Sequence, residues 1–142
     1  MIKPGLILIL LLVCQPVWAD AAAEIKYRES VMEVVGGHMH AMVAILKGRV
    51  HAGDLDFHAQ AMVNVAKVVP SVFPAGSGKG KTEALQKIWD QPAEFKISLQ
   101  KFVDAAESLA NTTDKEDMRA VGQAIQSLGK SCKGCHDQFK AE

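Results

Sequence analysis

The sequence predicts an all-α protein and, within that class, an antiparallel four-helix bundle. Three observations predict it. Apolar residues recur at spacings of three and four over four separate segments. Strand-like alternation is nearly absent beyond the first twenty residues. The segments are joined by mostly short connections, which favours antiparallel neighbours.

The first segment runs from about 22 to 48 on a seam of Ile25, Arg28, Met32, Val35, Met39, Met42 and Leu46. Gly48 ends it, and HAGDLD makes a turn with Asp54 as the expected N-cap of the next segment. That second segment, about 54 to 69, carries Leu55, His58, Met62, Val65 and Val69, and stops at Pro70. PSVFPAGSGKGKTEA follows, rich in Pro and Gly and read as a solvated loop.

A short helical piece around Leu85, Ile88 and Trp89 leads into the third segment, Pro92 to Ala110. Phe95, Leu99, Phe102, Ala106 and Leu109 face inward there. NTTDKED turns the chain, with Thr113 and Glu116 in the spacing of a capping box. The fourth segment has the most regular seam: Met118, Val121, Ile125, Leu128, Cys132, Cys135 and Phe139. Both cysteines on that seam point into the bundle.

The first nineteen residues stand apart. Lys3 gives a basic start, Leu6 to Val13 an unbroken apolar run, and Val17-Trp18-Ala19 a processing site before Asp20. The run is too short to span a bilayer, so residues 1–19 read as a secretory signal peptide and 20–142 as one mature domain. A lipoprotein anchor on Cys14 would place Val13 where a small residue is wanted. The expectation is export to the periplasm with no membrane attachment after cleavage.

The whole chain carries 16 Lys+Arg and 16 Asp+Glu, and loss of Lys3 leaves 15 against 16. No basic stripe remains, which argues against a nucleic-acid partner. The mature chain keeps two cysteines, Cys132 and Cys135. A disulfide between them would close a very small loop and stabilise little.

Those cysteines belong to CKGCH, six residues before the end of the chain. Zinc would require about four ligands, and no second Cys/His pair is present. A dithiol redox site would open a helix beside a sheet, whereas this motif closes a helix in an all-α chain. Covalent haem attachment fits best: the two thiols add to the vinyl groups and the adjacent His136 reaches the iron. Attachment takes place outside the cytoplasm, which the signal peptide supplies. The expected cofactor is one haem c.

With CKGCHDQFK near the C-terminus and YRESVMEVVGGHM in the first segment, the chain resembles the class II c-type cytochromes, cytochrome c′ and cytochrome c-556. FPAGSG and KIW fit the same family more loosely. The resemblance implies the up-down-up-down order of the bundle. It also implies two alternatives for the face of the iron opposite His136. In cytochrome c′ an apolar residue covers that face, the iron is five-coordinate and small gases bind. In the cytochrome c-556 group a methionine sulfur closes the coordination.

Met32 lies four residues after Arg28 and four before Gly36, the spacing of that position in the family. Periodicity alone does not separate it from Met39 and Met42, which share its seam as ordinary core fillers. The resemblance therefore makes Met32 the expected second axial ligand. The corresponding function is single-electron transfer with redox partner proteins of the periplasm, without enzymatic activity. The alternative is a five-coordinate module for NO or CO. The resemblance also admits a homodimer through the first two helices.

Arg28 is informative on its own. A charge on a buried seam is costly unless paired, and no acidic residue occupies the seams as read here. A haem propionate is the expected partner, and Lys140, one turn beyond His136, is a weaker candidate for the same role.

Two further runs have other readings. GGHMHAM offers His38, Met39, His40 and Met42 as copper-type ligands, but a helix would turn His40 away from His38 and Met42. AGSGKGKT lacks the first glycine of a phosphate-binding loop, having Ala75 there. His51 and His58 read as turn or surface histidines, and Trp89 as core or haem-edge packing.

Overall fold

The computed structural model describes residues 20–113 and 117–141. The expected signal peptide and Glu116 lie outside the described residues. Helix α1 (Ala21–Gly48) starts at Asp20, whose extended backbone and carboxylate cap it by accepting from the Ala22 amide at 3.0 Å. It ends as predicted at Gly48, but the left-handed residue is Arg49, φ 52°.

His51, at φ 50°, and a 3-10 turn over Ala52–Asp54 complete the reversal into α2 (Leu55–Val68). Asp54 precedes α2 as predicted, yet its side chain makes no cap hydrogen bond. Its carboxylate instead lies 3.9 Å from the His51 ring. Pro70 does not stop the chain outright: it sits in a 3-10 turn over Val69–Val72, where its missing N–H costs nothing.

The short α3 (Lys87–Asp90) leads into α4 (Pro92–Thr113), three residues longer than predicted. Thr113 stays helical and donates its hydroxyl to the Ala110 carbonyl at 2.8 Å. The cap of α5 (Met118–Phe139) is therefore Asp117, not Thr113. Its carboxylate accepts from the amides of Arg119 and Ala120 at 2.9 and 3.1 Å.

The four long helices form a ring in which α1 packs on α2, α2 on α4, α4 on α5 and α5 back on α1. Among the described residues there is no β-strand; the one bridge joins Ala84 to Lys140. Met42, Met62, Leu109 and Leu128 are fully shielded where the helices meet. Each such side chain contributes roughly 1.5–3 kcal/mol of transfer free energy. Ala59, Ala66 and Ala106, also fully buried, let the helices approach closely.

Helix α1 departs from its predicted seam by serving two faces. Ile25, Val31, Val35, Met42 and Ile45 are buried, whereas Met32 and Met39 are only partly so. The half-buried pair marks where the bundle encloses a cavity.

Candidate functional site

The last turns of α5 place Cys132, Cys135 and His136 at helical spacings of three and four, so all three share one face. They line a cavity of about 320 Å³ between α5, α1, α4 and the loop before α3. That volume is within the roughly 300–1,000 Å³ of small-molecule and cofactor sites. Phe73, Phe95, Leu99 and Phe102 give it an apolar wall, while Arg28, Glu83 and Lys140 stand among its polar lining.

Both cysteines are free and partly buried. Burial pushes both thiols up in pKa; the Ser131 hydroxyl opposes this at Cys132, and the neighbouring Cys132 adds to it at Cys135. They are held as protonated thiols. His136 stands at the cavity mouth with its pKa lowered, first by burial and then by the Lys140 ammonium, against Asp137 and Glu83. The neutral imidazole, the form with a free lone pair, is favoured.

Two thiols one turn apart, a neutral imidazole beside them and an apolar enclosure fit the donor set of a covalently held haem. The end of α5 that carries them is tied to the loop. The Leu85 amide donates to the Phe139 carbonyl at 2.9 Å and the Ala141 amide to the Glu83 carbonyl at 2.7 Å. Phe139 packs edge-on against Phe95, 5.1 Å between ring centres. These contacts fix where His136 can stand.

Of the three methionines on the α1 seam, Met42 is wholly enclosed in the core and cannot reach the cavity. Met32 and Met39 both line it. The Met39 methyl lies against Gly129 of α5, only 3.2 Å from where a Cβ there would sit.

Arg28 is 4% exposed, and the structure supplies partners that the sequence reading missed. One terminal nitrogen donates to the Val72 carbonyl at 3.3 Å and the Ser77 hydroxyl at 3.0 Å. The other donates to the Ser77 carbonyl at 3.1 Å and the Thr82 hydroxyl at 2.9 Å. The guanidinium also lies 5.1 Å from the Phe73 ring centre and 6.0 Å from that of Trp89. Burial lowers its pKa, offset by Glu29 and Glu24. Neutral oxygens and two aromatic faces thus solvate the charge, and among the described residues only Nε–H makes no hydrogen bond.

The loop read as solvated is therefore a cavity wall. Ser77 is buried, and Trp89 donates from Nε1 to the carbonyls of Phe73 and Pro74 at 3.2 and 3.1 Å. Trp89 is loop packing. A Cβ on Gly78 would come within 2.5 Å of its ring, and Gly76 and Gly80 take φ of 88° and 133°. The signal for this was present in PAGSGKG, as three glycines that a merely flexible loop would not need at those positions.

Lys140, the weaker of the two cations expected at the site, is paired with Glu83 at 2.8 Å. GGHMHAM breaks up as a ligand run: Met39 and His40 line the cavity and Met42 is core. His38 instead faces His58 of α2, Nδ1 to Nδ1 at 3.0 Å. Among the described residues no three His, Cys, Asp or Glu side chains converge as a metal site, and no helix is long and apolar enough to cross a membrane.

Comparison with known proteins returns one family. A family model described as Cytochrome C′ matches residues 23–140. Cytochrome c′ of Pararhodospirillum photometricum is 36% identical over 124 residues, covering 86% of this chain and 99% of that protein. Cytochrome c-556 of Agrobacterium fabrum is 34% identical over 123 residues, covering 84% of this chain and 82% of that protein. Among solved structures, a nitric oxide complex of a mutant of cytochrome c prime from Alcaligenes xylosoxidans superposes with a TM-score of 0.81 at 26% identity. It covers 88% of this chain and 98% of that one.

Proposed function

Since this chain belongs to the cytochrome c′ family and so is a monohaem c-type cytochrome of class II, we propose that it binds a small gas, NO or CO, on the haem face opposite His136. This reverses the order of the two alternatives met in the sequence, where the His/Met electron carrier came first. What carries the reversal is the similarity over nearly the whole chain to proteins named cytochrome c′, including one solved as a nitric oxide complex. Haem supplies one iron that cycles between Fe(III) and Fe(II) and accepts a small neutral ligand where its coordination is open.

The chain's residues do the rest in this reading. Cys132 and Cys135 provide the two thioether links, and His136 offers its neutral imidazole to the iron. The apolar wall of Phe95, Leu99 and Phe102 excludes water and admits an uncharged gas. The Arg28 Nε–H and the Lys140 ammonium are the propionate donors, with Lys140 first having to share or leave Glu83. No residue is assigned an acid, base or nucleophile role, and the protein would work in the periplasm after its signal peptide is removed.

One observation favours the second reading. Met32 lines the cavity with a thioether, and the cytochrome c-556 relative is 34% identical over most of the chain. Met32 would then be the sixth ligand, and the protein an electron carrier for periplasmic redox partners. For either reading, a homodimer would use the α1/α2 face, where Tyr27, Val34 and Phe57 are 54%, 49% and 66% exposed.

Optical spectra of the wild type and Met32→Leu, oxidised, reduced, and reduced under CO, separate the two. Gas binding predicts a high-spin wild type whose reduced spectrum shifts with CO, and a Met32→Leu variant that behaves alike. A low-spin wild type indifferent to CO, with a weak red sulfur-to-iron band that Met32→Leu abolishes, would establish the second reading and overturn the first.

A further inference from the structure

One histidine pair stands outside everything assigned above. His38 is on α1, His58 on α2, and their Nδ1 atoms are 3.0 Å apart across the helix interface, part-buried. The two rings meet edge to face at 5.3 Å between centres, with Phe57 edge-on to both. The run GGHMHAM suggests a metal site by its composition. The fold takes its methionines away and gives His38 a partner twenty residues on.

We propose that His38 and His58 form a two-nitrogen clamp for a tetragonal divalent cation, Cu²⁺ or Ni²⁺. The argument is one of angle. Once both rings turn by about 41–44°, so that their lone pairs leave the hydrogen-bond line and converge while the nitrogens stay 3.0 Å apart, two metal–nitrogen bonds of about 2.0–2.1 Å subtend about 91–97° at the metal. That is the cis angle of a square-planar or octahedral centre, and is narrower than the roughly 109° of a tetrahedron. Imidazole nitrogens in tetragonal geometry select Cu²⁺ or Ni²⁺ over Zn²⁺. No third protein ligand converges there among the described residues, so water completes the coordination and the affinity is that of a bidentate site.

The protons balance without a net release. In the neutral pair one Nδ1–H donates to the other Nδ1 lone pair. Metal binding needs both lone pairs, so the donor ring moves its proton to Nε2, which is the tautomer of its partner. The neutral state is also the favoured one at His38, whose pKa is lowered first by burial and then by His58. Because the clamp joins α1 to α2, an occupied site would cross-link them through residues outside the cavity lining.

The test is calorimetric titration of Ni²⁺, redox-silent towards haem, into the ferric holoprotein near neutral pH. The expected result is one equivalent bound, with affinity falling at least about tenfold in His38→Gln and in His58→Gln. His51→Asn should leave it unchanged, and Zn²⁺ should bind more weakly than Cu²⁺. Absence of stoichiometric binding, or binding that survives both substitutions together, overturns the proposal. So does binding that is lost in His40→Gln but kept in His58→Gln, since the ligands would then be the GGHMHAM run. None of these outcomes depends on what the iron binds.

Discussion

The two halves of the bundle are built from the same four helices and the same spacing of apolar residues, yet one is filled by its own side chains and the other encloses the cofactor cavity. In the filled half Met42, Met62, Leu109 and Leu128 meet with no exposed surface, closed up by alanines. In the cavity half Met32, Leu99, Cys132 and Cys135 lie on equivalent seam positions and remain only partly buried around a cavity. Periodicity says which face turns inward; it does not say whether the interior is filled. The difference comes from outside the helices. A loop held by Arg28, Trp89 and the end of α5 walls that half.

The comparison breaks most completely at the cysteines. Cys132→Ala with Cys135→Ala should leave no covalent haem: the pigment would come away on denaturation, where the wild type keeps it. Retention of haem colour by the denatured double variant would show that the cavity half is not the attachment site.

Next in size is a paired truncation. Leu128→Ala empties a fully enclosed position in the filled half and should cost about 2–5 kcal/mol of unfolding free energy, with the haem spectrum unchanged. Leu99→Ala in the cavity wall should cost less and shift the spectrum. Urea titration followed by circular dichroism, beside absorption spectra, reads both. Equal losses with equal spectra would erase the distinction between the halves.

Arg28 tests the wall itself. Arg28→Met removes four donated hydrogen bonds and takes their partner from the Val72 and Ser77 carbonyls, while the Ser77 and Thr82 hydroxyls keep their bonds to Pro74 and Ala84. A loss of about 2–4 kcal/mol is expected, since each stranded buried group costs roughly 1–3 kcal/mol and several can turn to water. Arg28→Lys should recover little, because a single ammonium cannot serve four oxygens and two rings from one plane. Protease nicking within 73–82 that rises in both variants would locate the loss in the loop. Full recovery by Lys would mean that charge alone matters.

These effects follow how legible the molecule is in its sequence. The helices and CKGCH are local patterns, so the existence and order of the helices and the shared face of Cys132, Cys135 and His136 are readable in the chain. Arg28 is readable as an oddity but not as a clamp, because Ser77 and Thr82 are 49 and 54 residues away and carry no charge to betray them. The Thr113 capping box fails for a different reason. Asp117 offers a stronger acceptor one residue beyond the expected motif, and Thr113 is used to close α4. His58 has the periodicity of a core residue and the chemistry of a surface one, and only the register of α1 against α2 shows that it meets His38.

That pair gives the smallest effect and the finest test of the filled half. The folded pKa of His38 lies below its unfolded value of 6.5, by burial first and by His58 second. Between those two values the unfolded chain holds more protons, so stability rises with pH. The contribution is fully present above about pH 6.5 and is lost as pH falls from there through the folded pKa. His38 faces His58 and the uncharged ring of Phe57, and among the described residues no carboxylate opposes the lowering of its pKa. Urea midpoints at about pH 7.5 and about pH 5.5 should therefore differ more in the wild type than in His38→Gln. The haem spectrum should stay constant across that comparison, because His38 is not in the cavity lining. An identical pH dependence in the two proteins would place the titration elsewhere, and a spectrum that moved with it would mean that the α1/α2 face and the cavity half are coupled.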